Sequence, residues 1–352
     1  MKLSPPEIER AVEMFAAQRR YCASAGAQTY VAILDGCIED TRSGGPICDI
    51  LTQWDGNAEG YLSLRILGAL HRLVLDGKAP QLAAVFPSAG GTHSPEKAWL
   101  AARPAIATHR EFILGYCKRP PQTNEVGRSA VLLGGFLEVA KRIGKPLRLL
   151  EIGASAGLNL MWDKFKIETE KFTWGDSTAE LVLRPKWEGP APSFDTPITI
   201  ASRAACDRDP IDIKNRDDSA RLESYVWTDQ VHRVERLRAA CKIARQTPFR
   251  LDQADAADWL ELELQDLPMG QATVVFHSIF RQYLSPASET HFQAVMEMAG
   301  TRATADAPLA WLAMEAPDLR SFPNLTLTIW PRGTPEFLAS AHHHGEWVNW
   351  RS

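Results

Sequence analysis

The stretch 147–160, LRLLEIGASAGLNL, combines a carboxylate, two glycines and small residues in a pattern typical of a binding turn. An apolar run ends in a carboxylate, Glu151, and small residues follow between Gly153 and Gly157. This pattern predicts a strand that turns sharply into a helix, which is where many proteins hold part of a cofactor. The first question is therefore which cofactor such a turn would suit.

Two phosphate-binding motifs fit this turn poorly. A dinucleotide fingerprint, G-x-G-x-x-G, requires glycine where the chain has Ser155 and Leu158. A P-loop requires Gly-Lys where the chain has Leu158 and Asn159, which excludes Walker-type phosphate binding here. A tight turn that holds no ligand is the competing interpretation.

The elements that must position the turn change character near Pro146. Helical periodicity dominates residues 1–145, which predicts an N-terminal helical region. After Pro146, strand-like segments alternate with helix-like ones, and they are ITIASRAACD, TPFRLDQAD, ATVVFHSIF, PLAWLAMEA and NLTLTIW. Residues 146–352 therefore predict an α/β domain with a mostly parallel sheet, and the alternating FTWGDSTAELVLRPKW predicts a hairpin insertion near 160–196.

Composition narrows the class of protein. A chain of 352 residues that is 45% hydrophobic can bury a large core. A net charge of -4 gives no electrostatic reason to expect nucleic acid, and no apolar run approaches the roughly 20 residues of a membrane span. Six scattered cysteines without a C-x-x-C pair indicate reduced thiols. We expect a cytoplasmic protein with a small-molecule partner, no nucleic acid and no membrane.

Several segments carry a resemblance to known families. The pattern E-x-G-x-x-x-G resembles the first motif of class I S-adenosylmethionine-dependent methyltransferases, although Ser155 stands where that family has its middle glycine. The segments PQTNEVGRSAVLLGGF, LLEIGASAGLNLMWDKF, ACDRDPIDI, VWTDQVHRVERLRAA and VVFHSIFRQYL resemble a bacterial family catalogued as domain of unknown function 2332. This resemblance spans nearly the whole chain. It implies a Rossmann-like, methyltransferase-type, doubly wound sheet with an N-terminal helical region.

The methyltransferase resemblance implies S-adenosylmethionine as the cofactor. A helix N-terminus after the turn would favour its methionine carboxylate. Asp207 resembles the acid that holds the ribose hydroxyls, and Asp255 resembles the acid near the adenine, while both also suit helix caps or turn acids. The implied cofactor-binding residues are Glu151, Gly153, Ala154, Ser155, Gly157, Asn159, Asp207, Asp255 and His277.

A second polar cluster, QTNEVGR, precedes an apolar helix. Burying so many polar side chains is costly unless they surround a ligand, so Asn124, Glu125 and Arg128 are predicted to face the cleft. The alternative is a helix cap with a surface pair of Glu125 and Arg128. The side chains predicted to line the substrate side are Asn124, Glu125, Arg128, His277, Arg281 and Tyr283.

Histidines complete the candidates. His277 ends a strand candidate, where it would serve as a general base or would only orient a loop. The run His342, His343, His344 predicts no metal site, because consecutive strand residues face opposite ways.

The functional prediction is methyl transfer to a small molecule. The alternatives are a non-catalytic ligand-binding or scaffold protein of the same fold and, more weakly, a dinucleotide-dependent oxidoreductase. The methyl acceptor and the oligomeric state carry no signal in the sequence.

Overall fold

A computed structural model describes residues 3–54, 61–318 and 321–351. The helices of four or more residues are α1 (Pro5–Ser24), α2 (Gln28–Ser43), α3 (Ile47–Gln53), α4 (Leu62–Leu75), α5 (Pro80–Ala83), α6 (Ala98–Thr108), α7 (Arg110–Cys117), α8 (Arg128–Ile143), α9 (Arg216–Ser224), α10 (Val231–Gln246), α11 (Ala256–Glu263) and α12 (Pro286–Arg302). The strands are β1 (Leu147–Ile152), β2 (Lys166–Glu168), β3 (Thr173–Trp174), β4 (Val182–Leu183), β5 (Lys186–Glu188), β6 (Ile200–Asp207), β7 (Arg250–Gln253), β8 (Ala272–Ser278), β9 (Leu309–Glu315), β10 (Asn324–Trp330), β11 (Thr334–Ala341) and β12 (Trp347–Trp350).

The chain divides into two compact units. The helical unit comprises Met1–Thr123 and Lys214–Glu235, and the sheet unit comprises Asn124–Ile213 and Arg236–Ser352. Because α8 packs against β9 and β10, it belongs to the sheet unit rather than to the N-terminal helices. The boundary predicted near residue 145 would separate α8 from these strands.

The helical unit forms where apolar residues recur every three or four positions. Phe15 of α1, Ile33 of α2 and Leu70 of α4 are fully buried in its core. A capping box begins α1, in which the Ser4 N–H donates to Glu7 at 2.7 Å. The predicted helices of this part of the chain are confirmed.

The sheet unit contains a nine-stranded sheet in the order β5-β12-β11-β10-β9-β8-β1-β6-β7. The strands β9, β8, β1, β6 and β7 pair in parallel. Strands β10, β11 and β12 add antiparallel neighbours beyond β9, and β5 pairs in parallel with β12. The predicted mixed α/β class with a large, mostly parallel sheet is confirmed.

Helices cover both faces of the sheet. Val275 of β8 joins a buried cluster with Leu260 of α11 and Phe292 of α12. Successive strand side chains point to opposite faces. Accordingly Phe276, the next residue, meets Phe136 of α8 with ring centroids 5.1 Å apart. The ends of β1 and β8 are thereby fixed between packed layers.

Two local predictions differ from the structure in detail. The predicted insertion near 160–196 contains one antiparallel pair, β2 with β3, but within FTWGDSTAELVLRPKW β3 and β4 do not pair with each other, because β4 pairs in parallel with β2. The regular helix predicted after the glycine turn is instead a seven-residue 3-10 helix, Leu158–Lys164. Its short length removes the extended helix dipole on which the prediction of carboxylate binding relied.

Within the described residues, none of the helices combines the length and apolar character needed to cross a membrane.

Candidate functional site

The candidate site lies where the strand order reverses. From β1 the parallel sheet continues to β6 and β7 on one side and to β8 and β9 on the other. In open α/β sheets, ligands bind beyond the carboxyl ends of strands at such a reversal. The residues that follow β1, β6, β8 and β9 are therefore the ones whose geometry matters.

The glycine turn, residues 153–157, is built from left-handed backbone. Gly153 has a φ of 60° and Gly157 a φ of 68°, and Ser155 between them has a φ of 54°. Residues other than glycine rarely adopt this backbone conformation, because their Cβ atom then lies too close to the backbone. Ser155 therefore has the backbone shape that a glycine would supply at the same place.

Asp207 lies directly against the turn. Its Oδ2 accepts from the Ser155 N–H at 2.8 Å, and its Oδ1 accepts from the Asp209 N–H at 2.9 Å. The Ala154 N–H donates to the Cys206 carbonyl oxygen at 3.1 Å. The predicted neighbours Asp207 and Ser155 are thus brought together. Asp207 stabilises the turn, as the alternative of a turn acid proposes.

Glu151 is the most unusual polar group at the turn. It is 3% exposed, and its Oε2 has no hydrogen-bond partner among the described residues. Burial raises the pKa of Glu151 well above its usual value, and Asp207 adds to the increase, whereas the Leu160 N–H, Arg128 and the Asn159 side-chain amide oppose it. The Ser155 hydroxyl oxygen is also buried without a partner in the described part of the chain. Unsatisfied polar atoms of this kind are rare and call for a water, an ion or a ligand.

Phe280 bounds the turn on another side. A Cβ atom built on Gly153 would overlap the Phe280 ring, so only glycine fits there. A Cβ on Gly157 would come 2.8 Å from the Phe249 ring. Native aromatic rings therefore fill the space beside both glycines, and any ligand must approach the turn from elsewhere.

Asn124 and Ser129 form hydrogen bonds with the start of the 3-10 helix that follows the turn. Asn124 Oδ1 accepts from the Leu158 N–H at 2.9 Å. The Ser129 hydroxyl donates to Asn159 Oδ1 at 2.6 Å. The N–H groups of Ser155 and Leu158 therefore already have protein acceptors and are not open to a ligand carboxylate.

Glu125 and Arg128 are also turned inward. Glu125 is 5% exposed, and its Oε1 accepts from the Gly127 N–H at 3.0 Å and lies 3.4 Å from Arg236 Nη1. Arg128 is half-buried and donates to the carbonyl oxygens of Ser278 at 2.9 Å and His343 at 3.0 Å. None of Asn124, Glu125 and Arg128 points into bulk solvent. Glu125 forms an ion pair with Arg236 of α10.

His277 is fully buried in a chain of hydrogen bonds. Its Nδ1 lies 2.7 Å from Glu315 Oε1, and its Nε2 accepts from the Trp311 indole N–H at 2.9 Å. Since Nε2 is an acceptor, the proton of the neutral ring lies on Nδ1 and is donated to Glu315. With both nitrogens engaged, this geometry is that of an orienting histidine, which is the alternative to a general base.

Glu315 also fixes the loop that follows β8. Its Oε1 accepts from the Phe280 N–H at 2.8 Å and from the Arg281 N–H at 3.4 Å. Within this loop Ile279 has a φ of 52°, which is an outlier for a β-branched residue. Such strain persists only where surrounding contacts determine the conformation, and it concentrates at functional sites.

The remaining predicted residues lie further from the turn. Asp255 is the N-cap of α11, where Oδ1 accepts from the Ala257 N–H at 3.0 Å, as the capping alternative proposes. Arg281 pairs with Glu289 of α12. Tyr283 is 56% exposed in the short 3-10 helix Arg281–Tyr283.

Sequence reasoning missed three participants. Ser129, Trp311 and Phe280 have no motif of their own, and their roles follow from tertiary packing and from the alignment of β8 with β9. Glu315 is recognisable as an acid at a strand end, but its pairing with His277 is not.

A family model described as "Uncharacterized protein conserved in bacteria", domain of unknown function 2332, matches residues 12–350. The chain belongs to this family. No match was found among curated proteins or among solved structures. The matched range includes the QTNEVGR and GASAGLNL segments.

Proposed function

We propose that the chain is an S-adenosylmethionine-dependent methyltransferase of Rossmann-like, doubly wound architecture that acts on a small molecule. The observation that carries the proposal is the buried Glu151 carboxyl with an unpartnered oxygen, at the end of the strand where the sheet order reverses. Without a ligand, burial favours the neutral form of this carboxyl, and a cation that donates hydrogen bonds to it would stabilise the charged carboxylate instead. The ammonium of an amino-acid moiety is such a group.

The residues at the turn fit the amino-acid end of this cofactor in one respect and not in another. Glu151 Oε2 and Ser155 Oγ are acceptors for the ammonium. The turn N–H groups of Ser155 and Leu158 are already engaged, so a methionine carboxylate needs a different partner. When bound, the sulfonium supplies the methyl group.

The remaining residues position rather than react. Asn124 and Ser129 fix the 3-10 helix that flanks Glu151, and Asp207 holds Ser155 in its left-handed conformation. Glu315 and His277 hold the loop that presents Arg281 and Tyr283. Arg281 and Tyr283 are the candidates for contact with the methyl acceptor, since both lie on this loop and Tyr283 is exposed.

A second candidate is a ligand-binding protein that has kept the fold without transfer chemistry. The engagement of both His277 nitrogens favours it, because the predicted general base has no open position. The two candidates share the adenosyl ligand and differ in turnover.

Calorimetric titration with S-adenosylmethionine, with its demethylated product and with a nicotinamide dinucleotide tests both. The proposal expects binding of the first two ligands but not the third. Glu151→Gln should weaken binding by about 10- to 100-fold, as for a lost charge-assisted hydrogen bond. The exposed Glu188→Gln is the matched control and should bind like the original chain.

Turnover with a metabolite pool then separates the candidates. Release of the demethylated product supports the enzyme, and tight binding without release supports the ligand-binding protein. Equal affinity of the original chain and Glu151→Gln would reject the assigned role of Glu151.

A further inference from the structure

A second group of potential ligands lies in the turn between β11 and β12, residues 342–346. Backbone hydrogen bonds fix this histidine turn: His342 N–H donates to the Trp347 carbonyl oxygen at 3.0 Å, and Gly345 N–H donates to that of His342 at 2.9 Å. The Glu346 carbonyl oxygen accepts from the Lys186 N–H of β5 at 2.8 Å. The turn is therefore held on both sides before any ion binds.

Alternate side chains of the turn converge. His342, His344 and Glu346 each offer one ligand atom, and these atoms all lie within 4.8 Å of one another. His342 Nδ1 and Glu346 Oε2 are 3.6 Å apart. Zinc–nitrogen bonds of about 2.0–2.1 Å place tetrahedral ligands roughly 3.3 Å apart, so small side-chain movements would close the cluster around an ion.

His343 does not belong to this cluster. Its carbonyl oxygen accepts from Arg128 Nε at 3.0 Å, which fixes the backbone between the two converging histidines. The prediction of no metal site assumes a strand, whereas residues 342–346 form the turn between β11 and β12, in which the alternate residues of His-x-His-x-Glu converge.

Close backbone packing fixes the histidine turn to the segment before α8. A Cβ on Gly345 would overlap the Gly127 carbonyl oxygen, and a Cβ on Gly127 would overlap that of His344. Arg128 joins the His343 carbonyl oxygen to that of Ser278 at the end of β8. The cluster therefore has a fixed position relative to the candidate site, and its formation does not depend on the proposed function.

We propose that His342, His344 and Glu346 bind a divalent transition-metal ion of the zinc type. Two imidazole nitrogens and one carboxylate oxygen are a ligand set that Zn²⁺ accepts, and three protein ligands leave a coordination position open. The side chains of His342 and Glu346 are 23% and 50% exposed, so an ion can reach them from solvent. The ion would replace the long 3.3 Å hydrogen bond from His344 N–H to His342 Nδ1.

Calorimetric titration of the full chain with Zn²⁺, and with Co²⁺ as a spectroscopic probe, tests the proposal. One ion per chain is expected, with a Co²⁺ spectrum typical of nitrogen and oxygen ligands. Glu346→Gln and His344→Ala should each weaken binding by more than about 100-fold, since loss of a direct ligand exceeds the 10- to 100-fold cost of losing an outer partner.

His343→Ala is the matched control, because it removes a neighbouring imidazole and keeps the backbone. It should bind like the original chain. Thermal melts without metal check that each variant folds, and Glu346→Gln carries the test if His344→Ala does not fold. Unchanged affinity in Glu346→Gln, equal loss in His343→Ala, or a thiolate band in the Co²⁺ spectrum would overturn the proposal.

Discussion

The glycine turn after β1 and the loop after β8 both contain a strained, left-handed residue, but different contacts surround it. Each holds a non-glycine residue in the left-handed region, Ser155 at 54° and Ile279 at 52°. In the loop after β8, Glu315 accepts from two backbone N–H groups and binds His277, whose other nitrogen binds Trp311. At the glycine turn, buried oxygens of Glu151 and Ser155 have no partner in the described structure.

The difference separates positioning from binding. A buried network with every member satisfied makes a rigid element, whereas a partly satisfied one costs free energy that a ligand can recover. The comparison therefore assigns the loop after β8 a positioning role and the glycine turn a binding role.

The largest expected effect is the loss of Glu315. Glu315→Ala leaves the Phe280 N–H and the His277 ring without their acceptor and releases the strained Ile279, so the free energy of unfolding should fall by about 3 kcal/mol. Urea unfolding measures the change. The exposed Glu297→Ala of α12 is the control and should change stability by less than about 0.5 kcal/mol. A similarly small effect for both variants would show that the loop does not depend on Glu315.

Gly153→Ala should have the next largest effect. The new methyl group would overlap Phe280, and the φ of 60° disfavours any side chain. Gly144→Ala is a matched control, since its φ is 68° but nothing lies within 4 Å of the added Cβ. We expect Gly153→Ala to lose about 2 kcal/mol more than Gly144→Ala in urea unfolding. Equal losses would mean that Phe280 moves away without cost.

Ser155→Gly should stabilise the chain by about 1 kcal/mol, because glycine adopts the left-handed conformation without strain. The backbone hydrogen bond from residue 155 to Asp207 is kept in this variant. The thermal midpoint should rise slightly. A fall would instead show that the Ser155 hydroxyl contributes to stability without a ligand.

The burial of Glu151 predicts that the stability of the chain depends on pH. Its pKa is raised by burial, so the folded chain favours the neutral form. This contribution is fully present below the usual value of 4.5 and is lost as pH rises through the folded pKa. As the pH rises above 4.5, the urea midpoint of Glu151→Gln should fall less than that of the original chain. Parallel pH profiles for the two chains would contradict the assignment.

Much of the fold follows from local sequence pattern. The strands ATVVFHSIF and PLAWLAMEA are short apolar runs, and they form β8 and β9 as predicted. Glu151, Gly153 and Asp207 were found because strand ends and turn glycines have local signatures. The pairing of strands has no such signature. The short strands β3 and β4 therefore both pair with β2, which the hairpin pattern did not indicate.

The parts of the site that escaped prediction depend on distant contacts. Asp207 was predicted to approach the turn, but its bond to the Ser155 N–H depends on the register of β6 beside β1. The hydrogen bond from Trp311 to His277 requires that β9 and β8 be neighbours in the sheet. The contact of Phe280 with Gly153 requires the left-handed backbone of Ile279. Side-chain identity at single positions does not encode these distances.

The binding role of the glycine turn can be tested with a crystal structure of the chain soaked with the demethylated cofactor product. We expect density at the glycine turn, with the ligand ammonium about 3 Å from Glu151 Oε2. Density for the ligand elsewhere in the molecule, or a turn whose Glu151 Oε2 binds only an ordered water at saturating ligand, would contradict it.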